Sequence, residues 1–162
     1  MRPLSSTVVE FLSGSEAETD RFAAALAPLL RPGDVVALDG DLGAGKTRLV
    51  RALAAALGCD AAQVSSPTFG LVQHYAGPLP LVHIDAYRLR DCDEFEELGG
   101  RELFEADAVT LIEWADRIAP SLPTKRWTIA AEHVGPTSRR YRVACPPDER
   151  AARLLAAAAG GA

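Results

Sequence analysis

The chain has 162 residues, of which 48% are hydrophobic and 24% charged, a composition that is ordinary for a globular domain and argues against disorder. Its formal net charge is −5 and no block of like charges is present, which argues against bulk electrostatic binding of nucleic acid and leaves only a local basic patch open. There is no apolar run of roughly 20 residues, no signal-peptide core and no C-x-x-C pair, so we expect a cytoplasmic protein with reduced thiols and no membrane contact.

The first half of the chain predicts an alternation of strands and helices. β-Branched residues predict a strand over 6–13, and an amphipathic helix follows, with Ser13 and Glu16 in the spacing of a capping box. The continuous apolar run DVVALD predicts a strand that is buried on both faces. After a glycine-rich loop, KTRLVRALAAALG predicts a helix that ends at Gly58.

The second half predicts further strands and a closing helix. SSPTFG predicts a loop, and LVQHY, PLVHIDAYRL and AVTLIEW predict strands, the last two ending in an acid. DEFEELGG and RELFEA predict short helical turns, RWTIAAEHV and RRYRVAC a β-hairpin, and DERAARLLAAAA a helix. We therefore expect one α/β domain over residues 1–162, with a mostly parallel sheet flanked by helices and an antiparallel edge or hairpin.

The glycine-rich loop carries the clearest functional signal. It matches G-x-x-x-x-G-K-[ST] in full between a buried strand and a helix, and consists of Gly40, Asp41, Leu42, Gly43, Ala44, Gly45, Lys46 and Thr47. Backbone N–H groups and the helix N-terminus of such a loop bind anions. Lys46 is expected to reach the β- and γ-phosphates of a nucleotide and Thr47 to ligate Mg²⁺. The motif predicts nucleotide binding and a P-loop NTPase-like fold.

Asp41 places an acid inside this anion-binding loop. Because the anion is bound by backbone amides, we expect the carboxylate to face away from the phosphates and to accept nearby N–H groups. A structural role is the interpretation that we favour.

Two acids follow strands at positions where ligands gather in parallel α/β sheets, since these strands end at one edge. Asp85 ends LVHID and is expected to hold Mg²⁺ through water, whereas Glu113 ends TLIE and is expected to polarise an attacking water. Helix capping or loop solvation is the alternative for both acids. Thr68 in SSPTFG has a hydroxyl that can reach phosphate, metal or water, with an ordinary turn as the alternative.

The histidines are widely spaced and predict no zinc site. His83 lies two residues before Asp85 on the same strand face, where it can support Asp85. A core or surface histidine without such a role is the alternative.

The segments GDLGAGKT, SSPTF, HIDAYRL, EELG and LIEW, in this order, resemble the TsaE family of bacterial P-loop ATPases, which are needed for the N6-threonylcarbamoyladenosine modification of tRNA. The resemblance implies binding and slow hydrolysis of ATP, with ADP and Mg²⁺ as natural ligands. It also implies work with the TsaB–TsaD pair, so that tRNA is involved only through that complex.

The resemblance also assigns roles to single residues. Catalysis is assigned to Glu113, Thr68 and Lys46, and metal binding to Thr47, Asp85 and Glu113. Nucleotide binding is assigned to the eight loop residues together with Arg48 and Trp114, although a buried core tryptophan is the alternative for Trp114. Thr68 belongs to a switch-like loop, SSPTFG, in this family. Arg48 and Gly70 stand where many relatives have threonine, which leaves the details of that loop open.

Three other functions remain as alternatives. A small-molecule kinase has the same loop, but it usually carries an arginine-bearing lid that is not evident here. Four arginines could nevertheless contact phosphate: Arg88, Arg90, Arg139 and Arg140. A GTPase normally has an N-K-x-D motif, which the sequence lacks. A nucleotide-gated interaction module would not depend on hydrolysis and overlaps the leading interpretation.

Overall fold

The computed structural model describes residues 7–40, 45–60, 62 and 72–160, and these form a sheet of seven strands in the order β1-β7-β6-β2-β5-β4-β3. The strands are β1 (Val8–Ser13), β2 (Val35–Gly40), β3 (Val72–Tyr75), β4 (Leu81–Asp85), β5 (Val109–Glu113), β6 (Trp127–His133) and β7 (Arg139–Ala144).

The centre of the sheet is parallel and both of its edges are antiparallel. Strands β6, β2, β5 and β4 pair in parallel, whereas β3 pairs antiparallel with β4, β7 with β6, and β1 with β7. The predicted α/β fold, a sheet flanked by helices with an antiparallel hairpin, is confirmed, and its sheet is mixed, with three parallel and three antiparallel pairs among the described strands. A second antiparallel edge arises at β3 because a short turn joins it to β4, and short connections allow only antiparallel pairing.

Helices cover both faces of this sheet. The helices are α1 (Glu16–Leu26), α2 (Lys46–Ala56), α3 (Cys92–Glu97), α4 (Gly100–Leu103) and α5 (Arg150–Gly160), with 3₁₀ segments at Ala27–Leu29 and Ala115–Ser121. One apolar cluster lies under α1, α2 and α5, and a second lies under α3 and the Ala115–Ser121 segment. Among the described residues, no helix combines the length and the apolar character that crossing a membrane requires.

The start of α1 corrects one sequence prediction. Ser15, not Ser13, is the N-cap, and its hydroxyl accepts the N–H of Glu18 at 3.2 Å, while the Glu18 carboxylate accepts the N–H of Gly14. The predicted pairing of Ser13 with Glu16 was wrong because Ser13 is still the last residue of β1, paired with Arg139. The capping residues are therefore shifted along the chain by two positions.

Candidate phosphate-binding site

The glycine-rich segment joins a buried strand to a helix, as its sequence predicts. Strand β2 ends at Gly40, and α2 begins at Lys46 with Gly45 as its N-cap in the left-handed region, at φ 93°. Residues 41–44, with the predicted loop contacts of Asp41, Leu42, Gly43 and Ala44, lie outside the described residues. A Cβ on Gly40 would stand 2.4 Å from the carbonyl oxygen of Ala131 on β6, so this position requires glycine.

Lys46 is buried at the start of α2, with 6% of its surface exposed. Its ammonium donates to the Gly40 carbonyl and lies 3.6 Å from the centroid of the Trp114 ring, close enough for a cation–π contact. This arrangement keeps the charge of Lys46 between the end of β2 and the end of β5.

Trp114 directly follows β5 in an unusual backbone conformation. Among the described residues other than glycine, it alone has a positive φ, at 58°. Its ring packs against Tyr87 with the ring centroids 5.1 Å apart, and it is only partly buried. The structure therefore places Trp114 beside Lys46, while its contact with a nucleotide stays a prediction.

A chain of hydrogen bonds links α2 to two strands. The Thr47 hydroxyl donates to Oε1 of Glu113 at 2.9 Å, and Oε2 of Glu113 lies 2.7 Å from Nε2 of His83. Glu113 is 3% exposed and His83 is fully buried. Both carboxylate oxygens of Glu113 are thus held by side chains from other elements.

Asp85 lies next to Glu113 at the same edge of the sheet. The two residues are register partners in the parallel pair β4–β5, which confirms that the strand ends bring these acids together. The Asp85 carboxylate accepts the backbone N–H of Tyr87 at 3.0 Å, a local turn contact. His83 therefore contacts Glu113 on the neighbouring strand. The sequence predicts instead that it supports Asp85.

A family model described as "Threonylcarbamoyl adenosine biosynthesis protein TsaE" matches residues 13–141. The chain belongs to the TsaE family. It is 41% identical over 138 residues to the tRNA threonylcarbamoyladenosine biosynthesis protein TsaE of Bacillus subtilis (strain 168), covering 79% of this chain and 85% of that protein. It is 38% identical over 133 residues to the protein of the same name from Treponema pallidum (strain Nichols), covering 82% of this chain and 98% of that protein.

A solved structure shares the fold across almost the whole chain. The crystal structure of Bacillus subtilis YdiB matches with a TM-score of 0.72 and 29% sequence identity, covering 96% of this chain and 97% of that one. The TsaE family assignment and the strand–loop–helix geometry therefore agree.

Two residues that the sequence assigns to this site, Arg48 and Thr68, keep their predicted roles as predictions. The Arg48 guanidinium is 2.8 Å from Asp20 and 3.7 Å from Glu16, so its charge is engaged by carboxylates of α1. Its role in nucleotide binding stays a prediction. Thr68 lies outside the described residues, and its catalytic role likewise stays a prediction.

A small cavity of about 140 Å³ opens beside Gly45. Arg139 lies at its wall, with Nε 3.1 Å from the point where a Cβ on Gly45 would be. Residues from β1, α1, α2 and the β6–β7 hairpin form the lining, which consists of Ser13, Ser15, Glu16, Thr19, Gly45, Arg48, Thr137, Arg139 and Tyr141. The sequence names Arg139 only as a possible phosphate contact of a kinase. Its position beside Gly45 depends on the pairing of β1 with β7, which local sequence pattern does not predict.

Asp39 is a further acid at this site that the sequence did not single out. Burial raises the pKa of its carboxyl, the nearby Asp116 carboxylate raises this pKa further, and the charges of Arg126 and Lys46 oppose the rise. One of its carboxylate oxygens is buried without a hydrogen-bond partner in the described part of the chain. The foot of the loop thus carries a desolvated acid close to Lys46.

The residues present suit Mg²⁺ in the presence of phosphates. In the ranges that the structure describes, no group of three or more His, Cys, Asp or Glu side chains could hold a metal by itself. The oxygens of Thr47, Glu113 and Asp85 are hard donors, and Mg²⁺ typically takes one or two protein carboxylates together with substrate phosphates and water. Because the Thr47 hydroxyl donates a hydrogen bond to Glu113, the lone pairs of its oxygen remain available to a cation.

Proposed function

We propose that this TsaE-family chain is an ATPase that binds ATP with Mg²⁺, hydrolyses it slowly, and serves the N6-threonylcarbamoyladenosine modification of tRNA in the cytoplasm. It would act on the TsaB–TsaD pair and meet tRNA only through that complex. The observation that carries the proposal is the hydrogen bond from Thr47, at the start of α2, to Glu113 at the end of β5. It joins the phosphate-loop helix to the acid best placed for hydrolysis.

Phosphate binding is supported by the start of α2. The N-terminus of an α-helix presents backbone N–H groups to an anion, and the helix dipole places partial positive charge at the same point. Lys46 donates to the Gly40 carbonyl and lies over the Trp114 ring. In the proposed complex its ammonium turns to the β- and γ-phosphates, which offer a charged acceptor in place of a carbonyl.

Hydrolysis is assigned to Glu113, with Thr47 and Asp85 in support. Mg²⁺, when bound, neutralises charge on the phosphates and orients them. Glu113 accepts one hydrogen bond at each oxygen, and every carboxylate oxygen can accept a second, so the side chain can still orient a water. Asp85, at the neighbouring strand end, would hold metal-bound water.

The partner assignment draws on the family. The TsaE relatives carry names that place them in tRNA threonylcarbamoyladenosine biosynthesis. We propose TsaB–TsaD as the partner pair, with the hydrolysis rate controlled by its binding. A nucleotide-gated interaction module is the second candidate, because both oxygens of Glu113 accept hydrogen bonds from other side chains of this chain.

The nucleotide proposal is tested by calorimetry with ADP and Mg²⁺. Lys46→Met is expected to abolish binding, whereas the control Lys125→Met, at a lysine whose side chain is 63% exposed, is expected to bind normally. Glu113→Gln is expected to keep ADP binding and to lose turnover, while Glu132→Gln on β6 keeps both. Normal binding by Lys46→Met would refute the phosphate-loop assignment.

The biological proposal is tested in a bacterium that lacks its own TsaE-family gene. The wild-type chain is expected to restore modified tRNA, measured by mass spectrometry of nucleosides, and Lys46→Met is expected to fail. Restoration by Glu113→Gln at the wild-type level would favour the interaction module over the ATPase. No restoration by the wild-type chain, when it is expressed and folded, would contradict the tRNA role.

A further inference from the structure

We infer that His83 is a positioning residue, which holds the Glu113 carboxylate against the Thr47 hydroxyl and thereby sets the geometry for hydrolysis. This inference rests on the proposed ATPase function of the same site. His83 is in β4, Glu113 in β5 and Thr47 in α2, so the contact ties two neighbouring strands to the phosphate-loop helix.

The sheet explains how these side chains meet. Asp85 and Glu113 are register partners, and His83 is two residues earlier in β4, hence on the same face as Asp85. Its ring reaches forward along that face to the carboxylate on the next strand, with Nε2 2.7 Å from Oε2. The imidazole therefore supports the acid from the core side, while Thr47 approaches the other oxygen.

The chemistry of the contact gives it a direction. A carboxylate accepts hydrogen bonds, so Nε2 of His83 is the protonated ring nitrogen and donates a hydrogen bond to Glu113. Nδ1 is buried without a hydrogen-bond partner among the described residues, so Glu113 is the one polar contact of the ring there. With Oε1 bound to Thr47 and Oε2 to His83, two donors define the plane of the carboxylate.

Removal of the imidazole would release one of these oxygens. Glu113 would then be held by Thr47 alone and could turn about its side-chain torsions, with Lys46 close to the same strand end as an alternative partner. A carboxylate that turns away neither orients water nor fixes the proton of Thr47. Loss of His83 should therefore lower the rate of ATP hydrolysis and weaken the binding of Mg²⁺, while the groups that bind the nucleotide stay in place.

Two substitutions separate positioning from core filling. His83→Gln can place an amide N–H near the position of Nε2, whereas the amide of His83→Asn corresponds in reach to Nδ1 and falls short of Glu113. Both are smaller polar side chains in the same buried place, so a purely structural role predicts that they behave alike. The positioning role predicts that glutamine rescues and asparagine does not.

The kinetic test measures ATP hydrolysis by the full chain against ATP and against Mg²⁺. We expect His83→Asn to lower kcat, and to raise the Mg²⁺ concentration for half-maximal rate, by about 10- to 100-fold, the range found when residues that orient metal ligands are removed. KM for ATP at saturating Mg²⁺ should stay near that of the wild type. His83→Gln should recover most of the loss, and equal kcat and Mg²⁺ dependence in His83→Asn and wild type would overturn the inference.

A second measurement does not need turnover. In ¹⁵N NMR of the nucleotide-free wild-type chain, the Nε2–H of His83 should exchange slowly and should shift on Glu113→Gln and on Thr47→Val, but not on Glu132→Gln. This keeps the inference testable if His83→Asn fails to fold. A His83 signal that is indifferent to Glu113→Gln would overturn the inference, whereas a wild-type chain that binds no ATP would remove the proposed function itself.

Discussion

Arg150, at the start of α5, offers the sharpest test of what holds the helical layer on the sheet. Its side chain is 3% exposed, and its guanidinium donates to the carboxylates of Asp34 and Asp148 and to the carbonyl of Leu29 at 3.0 Å. It also lies 5.3 Å from the centroid of the Trp127 ring. Arg150→Met keeps most of the apolar stem and removes all of these polar contacts.

The magnitude follows from the burial of the partners. Removing one member of a buried ion pair typically costs about 3–5 kcal/mol, because the other charge stays desolvated. Asp34 and Asp148 keep 13% and 9% of their side-chain surface exposed, so water can restore only part of the lost contacts. We therefore expect a loss of about 3 kcal/mol in the free energy of unfolding, which in a domain of this size corresponds to about 6–12 °C in Tm.

The assay is thermal and urea unfolding followed by circular dichroism, with Arg142→Met as the matched control. Arg142 pairs with Glu10 at 2.8 Å, but both side chains are 54% exposed, and such exposed pairs contribute little to stability because water solvates and screens both charges. The control should therefore unfold within about 4 °C of the wild type. Equal losses of Tm in the two variants would refute the reasoning from burial.

Three further predictions concern the loop, the acid side of stability and the site. Gly40→Ala should destabilise the chain by about 1–3 kcal/mol in urea unfolding, because φ is 143° and a Cβ would meet a β6 carbonyl. The same change at Gly33, where a Cβ would meet no atom within 4 Å, should cost less. Equal losses of stability in the two variants would contradict this prediction. The arginine beside Asp148 holds the pKa of that carboxyl well below its ordinary value, so the stability it contributes is complete above the unfolded pKa of about 4 and is lost as pH falls through the folded pKa. Between pH 3 and pH 7, Tm of the wild type should fall on acidification more than Tm of Arg150→Met, and parallel curves would argue against the pairing. Thr47→Val removes the proton donated to Glu113 and should lower ATP turnover by about 10- to 100-fold in a phosphate-release assay, a loss that an unchanged rate would disprove.

Local pattern was sufficient for the elements and for part of the site. The apolar runs ending in Asp85 and Glu113 predicted parallel strands, and parallel strands bring their carboxyl ends to one edge, where the register now places both acids side by side. The spacing of the glycine-rich loop predicted where β2 would end and α2 would begin. These inferences succeed because they depend on near neighbours in sequence or on a general property of α/β sheets.

The contacts that depend on strand order were beyond local pattern. The sequence places His83 and Asp85 on the same face of β4, but the partner of His83 is Glu113 on β5. Local pattern does not show which strand lies alongside β4 or how far a ring reaches. Arg139 likewise reaches Gly45 through the hairpin that pairs with β1. The left-handed backbone of Trp114 could not be predicted either, because that conformation is usually found at glycine or asparagine.

The most direct test of the account is single-turnover hydrolysis of ATP by the full chain, with and without the TsaB–TsaD pair, in wild type and in Glu113→Gln. We expect the wild-type chain to hydrolyse ATP slowly alone and faster with the pair, and we expect no hydrolysis by Glu113→Gln under either condition. Equal wild-type rates with and without the pair would contradict control by the partner, and normal hydrolysis by Glu113→Gln would contradict the catalytic site.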